Sequence, residues 1–250
     1  MTHKASISVD LYVTCIIDQL YPKVGVSVVR VLRRLGVTVG FPKDQTCCGQ
    51  PVYNTGFTKQ ASTLAKRVLE QFQDSEYVVV PSGSCAATLR VFYLELFADD
   101  PDLLTQAKAL AAKTYEFSEF LVNVLKVEDA SDCGVARQGT ATYHPSCHLM
   151  RELGVKTEPK KLLSTVPGLE EKPLEGAEIC CGFGGTFSVK FPHISEGMVA
   201  DKIANVQASG AETLVACDMS CLMNMAGALN RQGSDIKVRH LAQILDSESD

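Results

Sequence analysis

Tyr77-Val78-Val79-Val80-Pro81-Ser82-Gly83-Ser84-Cys85 is a continuous apolar run of buried-strand type, closed by a Pro-Ser-Gly turn and a cysteine. Residues 86–97 then read as a helix. The same order returns late in the chain. Thr213-Leu214-Val215-Ala216 is an apolar strand, residues 217–221 are the turn with Cys217 and Cys221, and residues 222–229 start a helix. A buried strand followed at once by a helix is the unit of a parallel α/β sheet. A cysteine at the end of such a strand lies at the sheet edge where α/β proteins gather ligands.

Outward from these strands the cysteines repeat. Asp44-Gln45-Thr46-Cys47-Cys48-Gly49-Gln50-Pro51 and Cys180-Cys181-Gly182-Phe183-Gly184-Gly185-Thr186-Phe187 share an uncommon Cys-Cys-Gly. Cys15 precedes the first copy and Cys147 the second at almost the same distance, and Cys85 and Cys221 follow them at similar distances. The flanking elements repeat as well. Residues 7–13 and 139–143 read as strands ending just before Cys15 and at His144-Pro145-Ser146-Cys147. Residues 24–35, with Gly36 as the stop, and residues near 160–165 read as helices. Residues 37–41 are a short strand candidate. Residues 58–72 and 194–208 are amphipathic helices, the latter stopped by Gly210. Similar segments recur at 117–125 and 238–245. The period is that of a domain, not of a solenoid repeat. The expected organisation is therefore α/β: two pseudo-symmetric duplicated domains with parallel sheets, residues 1–126 and 139–250, joined by a polar linker over 127–138. Each carries a cysteine cluster at the C-terminal edges of its strands, and the two clusters are expected near the cleft between the domains.

Composition narrows the function. Of 250 residues, 46% are hydrophobic and 21% charged, the balance of an ordinary soluble domain. A net charge of −5 and the absence of Trp argue against a nucleic-acid partner. Met1-Thr2-His3-Lys4 lacks the apolar run of a secretory signal, and no stretch approaches the ~18–20 residues of a membrane span. A cytoplasmic protein with no direct membrane span is expected. Ten cysteines in that reducing compartment point to metal or redox chemistry, not to a disulfide framework.

Cys, a spacer, Cys-Cys-Gly, a second spacer and a further Cys resemble the cysteine-rich CCG domain. That domain is found doubled in the cysteine-rich subunit of heterodisulfide reductase and in the iron–sulfur subunits of glycolate oxidase and anaerobic glycerol-3-phosphate dehydrogenase. Ser82-Gly83-Ser84-Cys85 and Asp218-Met219-Ser220-Cys221-Leu222-Met223-Asn224 add to the likeness. A chain with both halves and no ferredoxin domain most resembles the lactate-utilization members of this family. The resemblance implies an oxidoreductase subunit: an iron–sulfur electron-transfer component of an L-lactate-oxidising complex, lactate going to pyruvate. It also implies two partners, a ferredoxin-like iron–sulfur subunit and a third soluble subunit. Relatives acting on glycolate or glycerol 3-phosphate, or reducing a heterodisulfide on a noncubane four-iron cluster, are the alternatives it leaves open.

The family's full pattern has five cysteines per half, and this chain departs from it. Thr88 stands where the first half's final Cys belongs, and Asp218 is read in the penultimate slot of the second. Four cysteines per half remain as candidate ligands: Cys15, Cys47, Cys48 and Cys85, then Cys147, Cys180, Cys181 and Cys221. Four thiolates suit a 4Fe–4S cubane. Cys217, one position from the slot, is a further candidate. A structural zinc is the competing occupant, although paired CxxC knuckles are missing. His144 and His148 flank Cys147 and are candidates to stand behind the ligands or to move protons. Cys133 matches nothing in the other half and reads as an incidental thiol, His193 as a surface residue in a loop, and residues 246–250 as a solvated acidic tail. Gly182-Phe183-Gly184-Gly185 is not a complete dinucleotide fingerprint and is expected to shape the cluster loop.

Overall fold

The computed structural model describes residues 7–249. The first half runs β1 (Ser8–Leu11), α1 (Cys15–Leu20), α2 (Pro22–Arg34), β2 (Thr38–Gly40), α3 (Gln50–Tyr53), α4 (Thr58–Gln71), β3 (Tyr77–Val80), α5 (Gly83–Ala87), α6 (Tyr93–Leu96), α7 (Pro101–Lys113), β4 (Thr114–Glu116) and α8 (Phe117–Glu119). The second runs β5 (Gly139–Tyr143), α9 (Cys147–Arg151), α10 (Glu158–Ser164), β6 (Leu169–Glu171), α11 (Phe187–Lys190), α12 (Pro192–Ala208), β7 (Thr213–Ala216), α13 (Met219–Arg231), β8 (Lys237–His240) and α14 (Leu241–Leu245).

Each half builds one four-stranded, wholly parallel sheet, ordered β2-β1-β3-β4 and β6-β5-β7-β8. Asp10 lies opposite Val78, and Thr142 opposite Leu214. In both sheets the chain leaves the central strand pair in opposite directions. The crevice this opens, at the C-terminal ends of β1 and β3 or of β5 and β7, is the ligand position of open α/β sheets. Cys15 and Cys85 follow the first pair of strands; Cys147 and Cys221 follow the second.

Local sequence explains the main elements. On α2, Val24, Val28, Val31 and Leu32 recur at helical spacing and are buried as one stripe. The helix ends at Gly36, whose φ of +81° suits glycine alone. Leu11, Val79, Leu214 and Val215 on the central strands are covered on both faces and buried.

The halves dovetail. Helix α14 of the second half packs on α2 of the first, and α8 of the first packs on α10 of the second. Across the middle, α5 meets α9 and α1 meets α13. Gly83 allows the α5–α9 approach, because a Cβ there would stand 2.6 Å from the Leu149 Cβ. One hydrophobic core therefore runs through both sheets. Residues between the halves join it: Val127, Ala130, Cys133 and Val135 are buried, and the Arg34 Nη1 donates to the Cys133 carbonyl at 2.8 Å.

Several expectations need correcting. Cys85 and Cys221 are not in turns; each lies inside the first turn of a helix, α5 or α13. Residues 238–245 divide into β8 and α14. His193 is exposed but belongs to the first turn of α12. The acidic tail is anchored at its start. Asp246 is fully buried, accepts from the Ser27 Oγ at 2.9 Å and faces Arg30 and Arg34 at 3.4 and 3.9 Å. Glu248 pairs with the same two arginines, both at 3.4 Å.

Candidate metal centres

The eight matched cysteines gather into two groups of four with the same internal order. In the first, Cys15 opens α1, Cys47 and Cys48 come from the loop after β2, and Cys85 sits in the first turn of α5. Their side chains meet in sequence: Cys15 with Cys47, Cys47 with Cys48, and Cys48 with Cys85, the last pair 3.4 Å apart at sulfur. In the second, Cys147 meets Cys180, Cys180 meets Cys181, and Cys181 meets Cys221. In each group the Cys-Cys-Gly glycine N–H points at the first sulfur of its loop, at 3.5 Å from Gly49 to Cys47 and 3.4 Å from Gly182 to Cys180. Gly182 has a φ of +82°, and a Cβ there would stand 2.8 Å from the Ser195 carbonyl. The loop can bring both of its sulfurs inward only with glycine at this position.

The thiols divide by charge. Hydrogen bonds from Cys15 and Cys48, with a smaller one from Gly49, hold Cys47 far below the usual thiol range against the effect of burial. Cys147 and Cys181 do the same for Cys180, with Gly182 assisting. The donors Cys15, Cys48, Cys147 and Cys181 are pushed up, first by those bonds and then by burial. Four sulfurs packed this closely cannot all ionise alone. A bound cation removes that restriction, since thiolates are the form that ligates metal. The donor set thus fits a thiolate-ligated metal group. Cys15, Cys47, Cys147 and Cys180 are half-buried, while Cys48, Cys85, Cys181 and Cys221 form the floor.

Each centre is completed by the other half. The first opens into a pocket that Phe183, Gly185 and Asp218 of the second half help to line. The second opens into one lined in part by Gln50, Asn54 and Ser84 of the first. The Phe183–Gly185 loop forms a wall of both.

Asp218 stands between the two centres. It is the N-cap of α13, as Ser82 is of α5. Its Oδ1 accepts from the Ser220 N–H at 3.0 Å. Its Oδ2 accepts from the Ser84 N–H at 2.8 Å and from the Ser82 Oγ at 3.1 Å. One buried carboxylate therefore caps the helices that carry Cys221 and Cys85. This corrects the reading of Asp218 as a replaced ligand. Cap for cap, Ser82-Gly83-Ser84-Cys85 aligns with Asp218-Met219-Ser220-Cys221, so Cys85 and Cys221 are equivalent. Both halves lack the same fifth cysteine, at Thr88 and at Asn224. The Thr88 Oγ1 donates to the Ser84 carbonyl at 2.8 Å, and the Asn224 Nδ2 to the Cys181 carbonyl at 2.9 Å.

The structure does not bring Cys217 to these thiols. Cys217 is fully buried in the core, with its sulfur 3.6 Å from the Tyr143 hydroxyl and 4.0 Å from the Ser118 Oγ. It follows β7 at the position matching Pro81. Cys133 is buried away from both centres. His148 lies half-buried on the rim, its Nδ1 3.7 Å from the Cys147 sulfur and its ring edge-on to Phe92. His144 is buried beside Cys181 and Cys221, with a ring nitrogen and the two sulfurs all within 4.8 Å of one another.

Sequence reading missed three residues here. Tyr93 donates to the Cys48 carbonyl at 2.8 Å. Asn224 does the same for Cys181, from a different position in its half. Lys202 is almost fully buried, and its Nζ donates to the carbonyls of Gly176 and Ala177 at 2.6 and 3.0 Å. A lysine between Val199, Ile203 and Val206 on the apolar face of α12 was the available signal.

These two thiol groups on paired parallel sheets define the cysteine-rich domain called CCG. Its family model matches residues 9–90 and 141–226, and the chain belongs to that family. Within it, the chain is 52% identical to Lactate utilization protein A of Bacillus subtilis over 239 residues, covering 96% of this chain and 99% of that one. It is 51% identical to Lactate utilization protein A of Shouchella clausii over 241 residues, with the same coverage. Among solved structures, a glutamate racemase of Bacillus anthracis covers 98% of this chain and 79% of its own at 11% identity, with a TM-score of 0.38. That likeness is too slight to bear on the fold.

Proposed function

We propose that this protein is the iron–sulfur electron-transfer component of a complex that oxidises L-lactate to pyruvate. The observation that carries the reading is the pair of equivalent four-thiol centres, in a chain about half identical over nearly its whole length to proteins named for lactate utilization. A 4Fe–4S cluster held at each centre supplies one-electron chemistry, and two such centres match the two electrons that lactate gives up on becoming pyruvate.

The chain's own residues hold and tune. Cys15, Cys47, Cys48 and Cys85 are the ligands of the first centre; Cys147, Cys180, Cys181 and Cys221 are those of the second. The N–H groups of Gly49 and Gly182 stabilise charge on sulfur. Cys48, Cys85, Cys181 and Cys221 are closed off from water on the floor, and the half-buried sulfurs face the pockets. Four protein sulfurs per centre favour the cubane over the noncubane form of the heterodisulfide reductases. The partners are a ferredoxin-like iron–sulfur subunit and a third soluble subunit, and the place of work is the cytoplasm. Among the described residues no helix is long and apolar enough to cross a membrane.

Two measurements test this. Anaerobic purification should give iron and acid-labile sulfide in equal amounts, about four of each per centre. Cys48→Ser and Cys181→Ser should each lose about half of the iron. The reconstituted complex should reduce a dye with L-lactate and not with glycolate or glycerol 3-phosphate. Turnover with either of those, and none with lactate, would move the assignment to that donor. A zinc reading draws on the short reach among His144, Cys181 and Cys221. Stoichiometric zinc without sulfide would establish it in place of the clusters.

A further inference from the structure

The two centres share their sulfurs but not their surroundings. At the first, Tyr12 occupies the position after β1 and spends its hydroxyl on the Thr46 carbonyl at 2.6 Å. The matching residue after β5 is His144: the Tyr12 and His144 N–H groups bond the Val79 and Val215 carbonyls, the same step of each sheet. His144 is 1% exposed, and neither ring nitrogen has a hydrogen-bond partner among the described residues. The Ala177 backbone lies beside the ring, and its carbonyl already accepts from the Lys202 Nζ at 3.0 Å. An imidazole always presents two polar nitrogens, and burying both unpaired is costly.

The ring borders the second thiol group. One of its nitrogens and the sulfurs of Cys181 and Cys221 fall within 4.8 Å of one another, all three residues being buried. Bond lengths of about 2.0 Å to nitrogen and 2.3 Å to sulfur put tetrahedral donors roughly 3.5–3.8 Å apart. A small side-chain movement brings the ring nitrogen within bonding reach of a metal group held by these sulfurs.

We propose that His144 is a direct nitrogen ligand of the metal group at the second centre, taking the place of one of its four cysteine sulfurs, so that this centre has a mixed sulfur and nitrogen donor set and the first has sulfur alone. This rests on the reading that the second centre holds a metal. It gives the two halves different work. A neutral ligand in place of a thiolate leaves less negative charge on the metal group and raises its reduction potential, as histidine does in Rieske centres. The second centre is then the electron sink of the pair.

The test is pulsed electron paramagnetic resonance on the reduced, reconstituted protein, prepared with ¹⁵N-histidine and with natural nitrogen. A histidine-nitrogen coupling is expected in the parent protein. It should disappear in His144→Gln and persist in His148→Gln, where only the rim histidine is lost. His144→Cys guards against a folding defect: it should retain the full iron content and still lose the coupling. No histidine coupling in a protein with full iron and sulfide would overturn the assignment while leaving the electron-transfer reading intact. A coupling that follows His148 would overturn it too. Should the centre hold zinc without sulfide, the cluster reading fails on its own. X-ray absorption at the zinc edge then decides the ligand: a nitrogen shell lost in His144→Gln supports it, and an all-sulfur shell overturns it.

Discussion

Asp218 shows how much one side chain contributes when two helices start at the same point. An ordinary N-cap is worth about 1 kcal/mol. Asp218 accepts N–H bonds from the first turns of both α13 and α5, and its burial leaves those donors no water to replace it. Asp218→Ala should therefore cost about 2–4 kcal/mol in urea denaturation of the apo protein, against about 1 kcal/mol for Ser82→Ala. A second residue-scale prediction concerns Glu116, at the end of β4. It is fully buried, one of its oxygens lacks a partner, and burial pushes its carboxyl up to about 8. The folded state then holds a proton that the unfolded chain releases near pH 4.5. Stability from this group is complete below that pH and falls as pH rises toward 8. Glu116→Gln should flatten the decline, matching the parent near pH 4.5 and exceeding it at pH 8.5, as read from urea midpoints. The eight cysteines were legible in the sequence because their spacing repeats. The role of Asp218 was not, because counting positions between cysteines does not locate a helix start. A capping residue three positions before Cys85 and before Cys221 was the overlooked sign.

At the scale of elements, the buried strands were the readable part. Tyr77–Val80, Gly139–Tyr143 and Thr213–Ala216 were expected over the same residues the structure shows; Tyr77–Val80 and Thr213–Ala216 are central strands that read as apolar runs, and Gly139–Tyr143 is β-branched and aromatic ahead of His144-Pro145. Of the edges, β2 was expected over 37–41, while β4 and β6 passed unread. Strand β6 is only Leu-Glu-Glu, held by pairing with β5 and not by burial. Helix α7 passed unnoticed although Asp100-Pro101 is a cap followed by an N1 proline. The Cys-Cys-Gly loops carry the prediction at this scale. Both glycines have positive φ, but a Cβ at Gly49 would stand 3.5 Å from the Ala61 carbonyl, against 2.8 Å from the Ser195 carbonyl at Gly182. Gly182→Ala should lose most of the second-centre iron, and Gly49→Ala a smaller share from the first. Equal losses in an iron assay would mean that backbone conformation alone, and not crowding by α12, sets the loop.

The whole molecule is two similar halves that differ around their thiol groups. Position for position, Tyr12 became His144, and Val68 on α4 corresponds to Lys202 on α12. The lysine puts a buried positive charge close to Cys180, Cys181 and Cys221 and leaves the first centre without one. Lys202→Met should lower the reduction potential of the second centre by tens of millivolts and leave the first unmoved, as followed by redox titration. Duplication and fold class were visible in the sequence because the cysteine period and the strand–helix order repeat. The dovetailing of the halves was not, since periodicity identifies the copies without saying which faces they share.

The shared cap has a consequence for how such a chain arises. Two identical first halves would meet with Ser82 facing Ser82, leaving the N-termini of both helices without an anion. Two identical second halves would meet with one Asp218 carboxylate against the other, two like charges in a dry contact. Only the unlike pairing supplies a single negative charge to both helices. A contact of this kind therefore needs two halves that differ at this position, as Ser82 and Asp218 do.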